Sequence, residues 1–159
     1  MHEVRKEAII LLVEDNPADQ QLTLRAFKQG KLNTRFVIAS DGQEAMDYLT
    51  NTYLVQDVNT YPRPDIILLD INMPKKDGKQ VLKEIRENPF LKIIPVIMLT
   101  TSDQEKDIMD SYSLGVNAYI SKPVRIADFL NVVSKLEEFW FVLSHLPPRK
   151  IESYVENKF

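Results

Sequence analysis

Five short apolar runs, each followed by an amphipathic segment, organise this sequence: Ala8 to Val13, Arg35 to Ala39, Asp65 to Leu69, Val96 to Leu99 and Ala118 to Ile120. Such an alternation folds as a parallel sheet with helices laid on it, because every apolar run needs cover and every amphipathic segment offers one face to supply it. Several runs are apolar at successive positions, as strands buried on both faces require. The segments between them carry helix punctuation. Pro17 opens the first, which places Ala18, Leu22 and Ala26 at four-residue spacing before Gly30. Ser40 and Asp41 can cap the second, Gly78 precedes the third, Asp103 begins the fourth, and Ile126, Phe129, Leu130, Val133 and Leu136 stripe the fifth. The expected fold class is α/β, a (βα)5 doubly wound three-layer sandwich.

Two stretches depart from this pattern. Asn51 to Pro64 connects the second helix to the third strand without clear periodicity and is expected as a surface loop. Phe139 to Leu143 is apolar all round a helix and must be covered on more than one side. A subunit interface is the favoured cover over a tail folded back on its own domain, so a homodimer is expected.

Composition narrows the function classes. With 159 residues the chain suits one domain with a sizeable core: an extension over 1–7, the domain over 8–146 including a long fifth helix, and a tail over 147–159 too short for an output domain. A net charge of -3 supplies no broad positive field, so nucleic acid is not an expected partner. The absence of cysteine excludes disulfides, thiolate nucleophiles and Cys-based zinc sites, and two histidines, His2 and His145, cannot build a His-rich one. Any metal must be a hard cation held by oxygen. No apolar run reaches the roughly 18 residues of a membrane span, and Met1 to Glu7 is charged, which makes the cytoplasm the expected location.

Ligands of an open parallel sheet bind outside the carboxyl ends of its strands. Those positions hold Glu14 and Asp15 after the first run, Asp70 after the third, Thr100 and Thr101 after the fourth, and Lys122-Pro123 after the fifth. Three carboxylates on one rim repel one another unless a cation sits among them, and an all-oxygen donor set points to magnesium. Lys122 would neutralise an incoming phosphoryl group. Charges then nearly balance, about -3 from the carboxylates against about +3 from a divalent ion and an ammonium. Asp70 stands alone after a buried run, between the acidic pair and the lysine, and is the natural nucleophile, with the Thr100 hydroxyl near it. Each residue alone has a plainer reading: Glu14-Asp15 as helix caps, Asp70 as a turn residue, Thr100 as a strand former. Four strand ends that each carry a group required by one phosphoryl transfer favour the joint reading.

At these residues the chain resembles the receiver domain of bacterial two-component response regulators. The likeness rests on Val13-Glu14-Asp15-Asn16, Leu69-Asp70-Ile71-Asn72-Met73-Pro74, Asp77-Gly78, Pro95 to Thr100, and Gly115 to Pro123 ending in Tyr119-Ile120-Ser121-Lys122-Pro123, in register over roughly residues 8–138. Together these motifs are specific, where any one alone is weak. The resemblance implies a flavodoxin-like sheet of strand order 2-1-3-4-5 and Asp70 as acceptor of phosphate from a histidine kinase. It also implies magnesium held by Glu14, Asp15, Asp70 and the backbone carbonyl of Asn72. It further implies a switch pair, Thr100 and Tyr119, a cis peptide bond at Lys122-Pro123, and an interaction face on the fourth helix, fifth strand and fifth helix. The long loop before Pro64-Asp65, Asn88 to Lys92, and Glu138-Phe139-Trp140 with Leu146-Pro147 look like the single-domain regulators that partner bacterial and cyanobacterial phytochromes. Those regulators tend to be dimers and lack an output domain.

Three rival classes fit less well. Phosphatase-like hydrolases that use an aspartyl nucleophile resemble Asp-x-Asp, and here the second position is Asn72, so a phosphoacceptor rather than an enzyme is expected. No glycine lies between Ala8 and Gln29, which leaves neither a dinucleotide fingerprint nor a P-loop. A receiver-like interaction module that no longer accepts phosphate is the remaining alternative.

Overall fold

The computed structural model describes residues 7–30, 32–101 and 115–135. Its strands are β1 (Ala8–Val13), β2 (Thr34–Ala39), β3 (Ile66–Asp70), β4 (Val96–Thr100) and β5 (Ala118–Ser121), and its helices are α1 (Pro17–Gln29), α2 (Gly42–Leu54), α3 (Gly78–Glu87) and α4 (Ile126–Val133). The helix expected from Asp103, as well as Leu136 and Phe139 to Leu143, lies outside the described residues. The strands form one sheet in the order β2-β1-β3-β4-β5, and every pairing is parallel.

Position in the sheet explains the burial of each strand. Central β1 and β3 are buried at every residue, whereas the edge strands are less covered: β2 exposes Arg35 and buries only Ala39 fully, and β5 exposes Tyr119 and Ser121 on either side of buried Ile120. Alternate side chains divide between two cores. Ile10, Leu12, Ile66 and Leu68 meet Phe27 of α1 and Phe129 and Val133 of α4 on one face. Leu11, Val13, Ile67 and Leu69 meet Leu49 of α2 and Leu82 and Ile85 of α3 on the other.

The structure corrects three local expectations. The buried stripe of α1 is Thr23 and Phe27, one residue along from the expected one, and Leu22 is 47% exposed. The Phe27 ring sets that rotation: it packs edge-on against Phe36 at 5.0 Å and Phe129 at 4.7 Å, and an aromatic ring buries more apolar area than Leu22 would. Helix α2 runs to Leu54, four residues into the expected loop, because Tyr53 stacks on Phe90 at 4.6 Å and its hydroxyl accepts from Asn88 Nδ2 at 2.9 Å. Gly78 is the first residue of α3 rather than the one before it, and the capping box of Asp77 and Gln80 starts the helix.

Two glycines are set by close backbone approach around the turn that follows β3. A Cβ on Gly78 would run into the Asp70 carbonyl oxygen, and one on Gly42 into that of Lys76. The Gly78 amide also donates to the Ile71 carbonyl at 2.9 Å, which fixes where Asp70 ends its strand. Arg86 ties the other end of the fold together. Its guanidinium donates to the carbonyls of Gly115, Lys92 and Ile94 and to Asn117 Oδ1, all within 2.9 Å.

Candidate functional site

The turn from β1 into α1 presents the first carboxylates. Asn16 caps the helix, its Oδ1 accepting from the amides of Ala18 at 2.8 Å and Asp19 at 3.1 Å, and Pro17 takes the first helical position, where no amide donor is needed. Glu14 and Asp15 are therefore free of the capping role they could have had. The Glu14 amide extends the β1–β2 ladder to the Ala39 carbonyl at 3.0 Å, and Gln20 Nε2 donates to the Glu14 carbonyl at 2.6 Å. With its backbone held on both sides, Glu14 is 1% exposed, while Asp15 beside it is exposed.

The end of β3 brings Asp70 alongside, itself 5% exposed, with Oδ1 accepting from the Asn72 amide at 3.4 Å. Glu14, Asp15 and Asp70 each offer an oxygen within 4.8 Å of the others. Lys122, after β5, reaches into this group: its Nζ lies 2.7 Å from Glu14 Oε1 and 3.2 Å from Asp70 Oδ2. The Lys122-Pro123 peptide is cis, as the resemblance implies.

Electrostatics follow from burial and crowding. Burial first and the neighbouring Asp70 second push the Glu14 carboxyl up, Lys122 only partly opposes them, and the net result is about 7. For Lys122 burial acts to lower the pKa, but the hydrogen bond from its ammonium to Glu14 and the charges of Asp70 and Glu14 win, and the net shift is upward. The lysine is thus charged at any physiological pH. The donor set is all oxygen, mutually repulsive and close enough to share one ion, which is what a hard divalent cation requires.

Other expected residues take the following places. Thr100 ends β4 and is in register with Ser121 of β5; its side chain lies outside the described atoms. Tyr119 is in register with Met98, on edge strand β5, and is 39% exposed. Asn72 is exposed in the turn after Asp70.

One site residue is new. Asp19, in the first turn of α1, brings Oδ2 to 3.2 Å from Lys122 Nζ and is a fourth carboxylate at the rim. The sequence signal for it was its place three residues after the Asn16 cap, a position that reads equally well as a complement to the helix dipole. Among the described residues no helix is long and apolar enough to cross a membrane.

Comparison with known proteins places these features in context. Residues 10–134 match the family model of the response regulator receiver domain. The chain is 43% identical to the response regulator Rcp1 of Synechocystis sp. (strain ATCC 27184 / PCC 6803 / Kazusa) over 139 residues, 87% of this chain and 92% of that protein. The Mn(2+)-bound form of Rcp1 superposes with a TM-score of 0.66, covering 88% of this chain and 99% of that one. The bacteriophytochrome response regulator AtBRR is 42% identical with a TM-score of 0.73, covering 86% and 96% of the two chains. The phosphorylated cyanobacterial phytochrome response regulator RcpA is 44% identical with a TM-score of 0.67, covering 85% and 94%.

Proposed function

The chain belongs to the response regulator receiver domain family, and from that premise we propose that Asp70 is the phosphoacceptor of a two-component relay, with Lys122, Glu14 and Asp15 as its working partners. The observation that carries this assignment is the position of Lys122 Nζ, 3.2 Å from Asp70 Oδ2 and next to carboxylate oxygens that lie within 4.8 Å of one another.

In the proposed reaction a carboxylate oxygen of Asp70 attacks the phosphorus of a phosphohistidine on a sensor kinase. The O–P bond forms as the P–N bond breaks, and the freed ring nitrogen takes back the electron pair and then a proton. Lys122 neutralises charge on the transferred group without having to move far, because it is already held at the rim. Glu14, Asp15 and Asp70, with the Asn72 carbonyl, would hold a divalent cation, magnesium in this reading, which when bound screens the phosphoryl oxygens. Catalysis resides in this arrangement of charge, so the domain promotes its own phosphorylation and is a signalling component rather than a turnover enzyme. Thr100 and Tyr119 form the switch: the hydroxyl is drawn to the phosphoryl group and the exposed ring turns inward, which changes the surface of β5 and the adjoining helices.

The likeness to the bacteriophytochrome response regulator AtBRR and the cyanobacterial phytochrome response regulator RcpA supports a phytochrome-type sensor kinase as the donor. A homodimer formed by the face of the fourth and fifth helices expected from the sequence and by Phe139 to Leu143, a receiver unit over 8–146, and a cytoplasmic location complete the reading. The direct test is incubation with phosphoramidate and magnesium, read by intact-mass spectrometry. The wild type should gain one phosphoryl group and Asp70→Asn none; an Asp70→Asn variant phosphorylated as fully as the wild type would remove the assignment. Sedimentation with and without the phosphodonor tests the dimer and its coupling to phosphorylation.

A further inference from the structure

We infer that Asp19 is a positioning residue for phosphotransfer: from the first turn of α1 it anchors Lys122 at the rim, with no share in holding the metal. The inference rests on the phosphoacceptor reading above and extends it to a residue of α1 that is neither nucleophile nor metal ligand.

Three contacts hold Lys122 Nζ, each from a different element. Glu14 lies at the end of β1, Asp70 at the end of β3, and Asp19 on α1, at 2.7, 3.2 and 3.2 Å. The α1 contact is built by the same turn that presents Glu14. The Asn16 side chain holds the Asp19 amide at 3.1 Å, the Asn16 amide donates to Glu14 Oε2 at 3.3 Å, and Gln20 Nε2 holds the Glu14 carbonyl. Asp19 is therefore fixed relative to Glu14, and it is absent from the group of carboxylates that share a common ion position.

Phosphorylation changes the demands on Lys122. Once Asp70 carries the phosphoryl group, one of its oxygens bridges to phosphorus in an acyl phosphate, and its hold on the ammonium passes to the new group. A lysine with four rotatable stem bonds needs another anchor to remain at the rim while that exchange takes place. Asp19 supplies it from the side open to solvent, with its side chain 33% exposed.

The test is the rate of phosphorylation by phosphoramidate at saturating magnesium chloride, for wild type, Asp19→Asn, Asp19→Glu and Lys122→Ala, with magnesium affinity measured separately by calorimetry. Asp19→Asn should lower the rate about fivefold, the effect of one partly exposed ion pair. Asp19→Glu should recover most of it, and magnesium affinity should stay within about twofold. In the Lys122→Ala background the Asp19→Asn change should have no further effect, a non-additivity that a merely structural role would not produce. An unchanged or faster rate in Asp19→Asn overturns the inference, as does a fall in magnesium affinity that matches the fall in rate, or additive losses in the double variant. A wild type that takes no phosphoryl group would overturn the phosphoacceptor reading and this inference together; a phosphorylated wild type beside an equally fast Asp19→Asn overturns only the role of Asp19.

Discussion

Burial of Glu14 makes the stability of the metal-free protein depend on pH in a direction opposite to that of most carboxylates. The Glu14 side chain carries a pKa of about 7 in the folded chain against 4.5 as the ordinary value, because burial and Asp70 both disfavour its charge. A carboxyl raised on folding adds stability that is fully present below the unfolded pKa and is lost as pH climbs through the folded one. The span from 4.5 to about 7, at about 1.4 kcal/mol per tenfold change, comes to about 3 kcal/mol, most of which falls between pH 5 and pH 8. Lys122 does not contribute to this window, since its own transition lies above it. The assay is urea unfolding by circular dichroism at pH 5 and pH 8 with a chelator present, on wild type and Glu14→Gln. Wild type should lose stability relative to Glu14→Gln by that amount as pH rises. Magnesium added at about a hundred times its dissociation constant should return about 2.7 kcal/mol at pH 8. At pH 5, where Glu14 holds its proton, it should return much less. Parallel curves for the two proteins from pH 5 to pH 8, or a difference of opposite sign, would refute the assigned environment of Glu14.

Three further outcomes follow from the same geometry. Asp15→Ala should abolish magnesium-dependent phosphorylation while leaving the fold intact or slightly stabilised, because it removes one of three crowded charges at an exposed position; undiminished magnesium affinity by calorimetry would show that Asp15 is no ligand. Arg86→Ala should cost about 2 kcal/mol in urea unfolding, since it strips donors from the carbonyls of Ile94, Lys92 and Gly115, and Arg86→Lys should recover little because one ammonium cannot reach them all. Asp77→Ala should cost about 1 kcal/mol by removing the α3 capping box, with the phosphorylation rate measured alongside to confirm that the loss is one of stability.

The sheet and most of its site were legible in the sequence because both depend on local pattern. The runs that became β1 and β3 are apolar at successive positions, so their central place in a covered sheet showed directly. Glu14, Asp15, Asp70 and Lys122 all follow such runs, and a parallel sheet necessarily gathers the residues after its strands at one edge. What stayed hidden depended on contacts far apart in the chain. The rotation of α1 is set by Phe27 meeting Phe36 and Phe129, partners that four-residue spacing within the helix cannot register. The extra turn of α2 depends on Tyr53 meeting Phe90, 37 positions later by their numbering. Asp19 escaped for the same reason, since its ion pair spans 103 residues to Lys122.

Strand order explains why the site needs these residue types in these places. β1 and β3 are neighbours, so the short carboxylates at their ends meet without help. Their junction is also the point at which the order of strands reverses, where the crossovers on either side leave a crevice. β5 is different: β4 separates it from β3, and two strand spacings amount to about 10 Å. A short side chain at the end of β5 could not reach the carboxylates, whereas a lysine can cross the end of β4 and place its charge among them. That crossing ties an edge strand that carries the exposed Tyr119 to the buried acidic centre through the Lys122 ion pairs. On the proposed phosphoacceptor reading, a change of charge at Asp70 is felt first by its ion pair with Lys122, and the topology makes the surface beside β5 the expected place for the response.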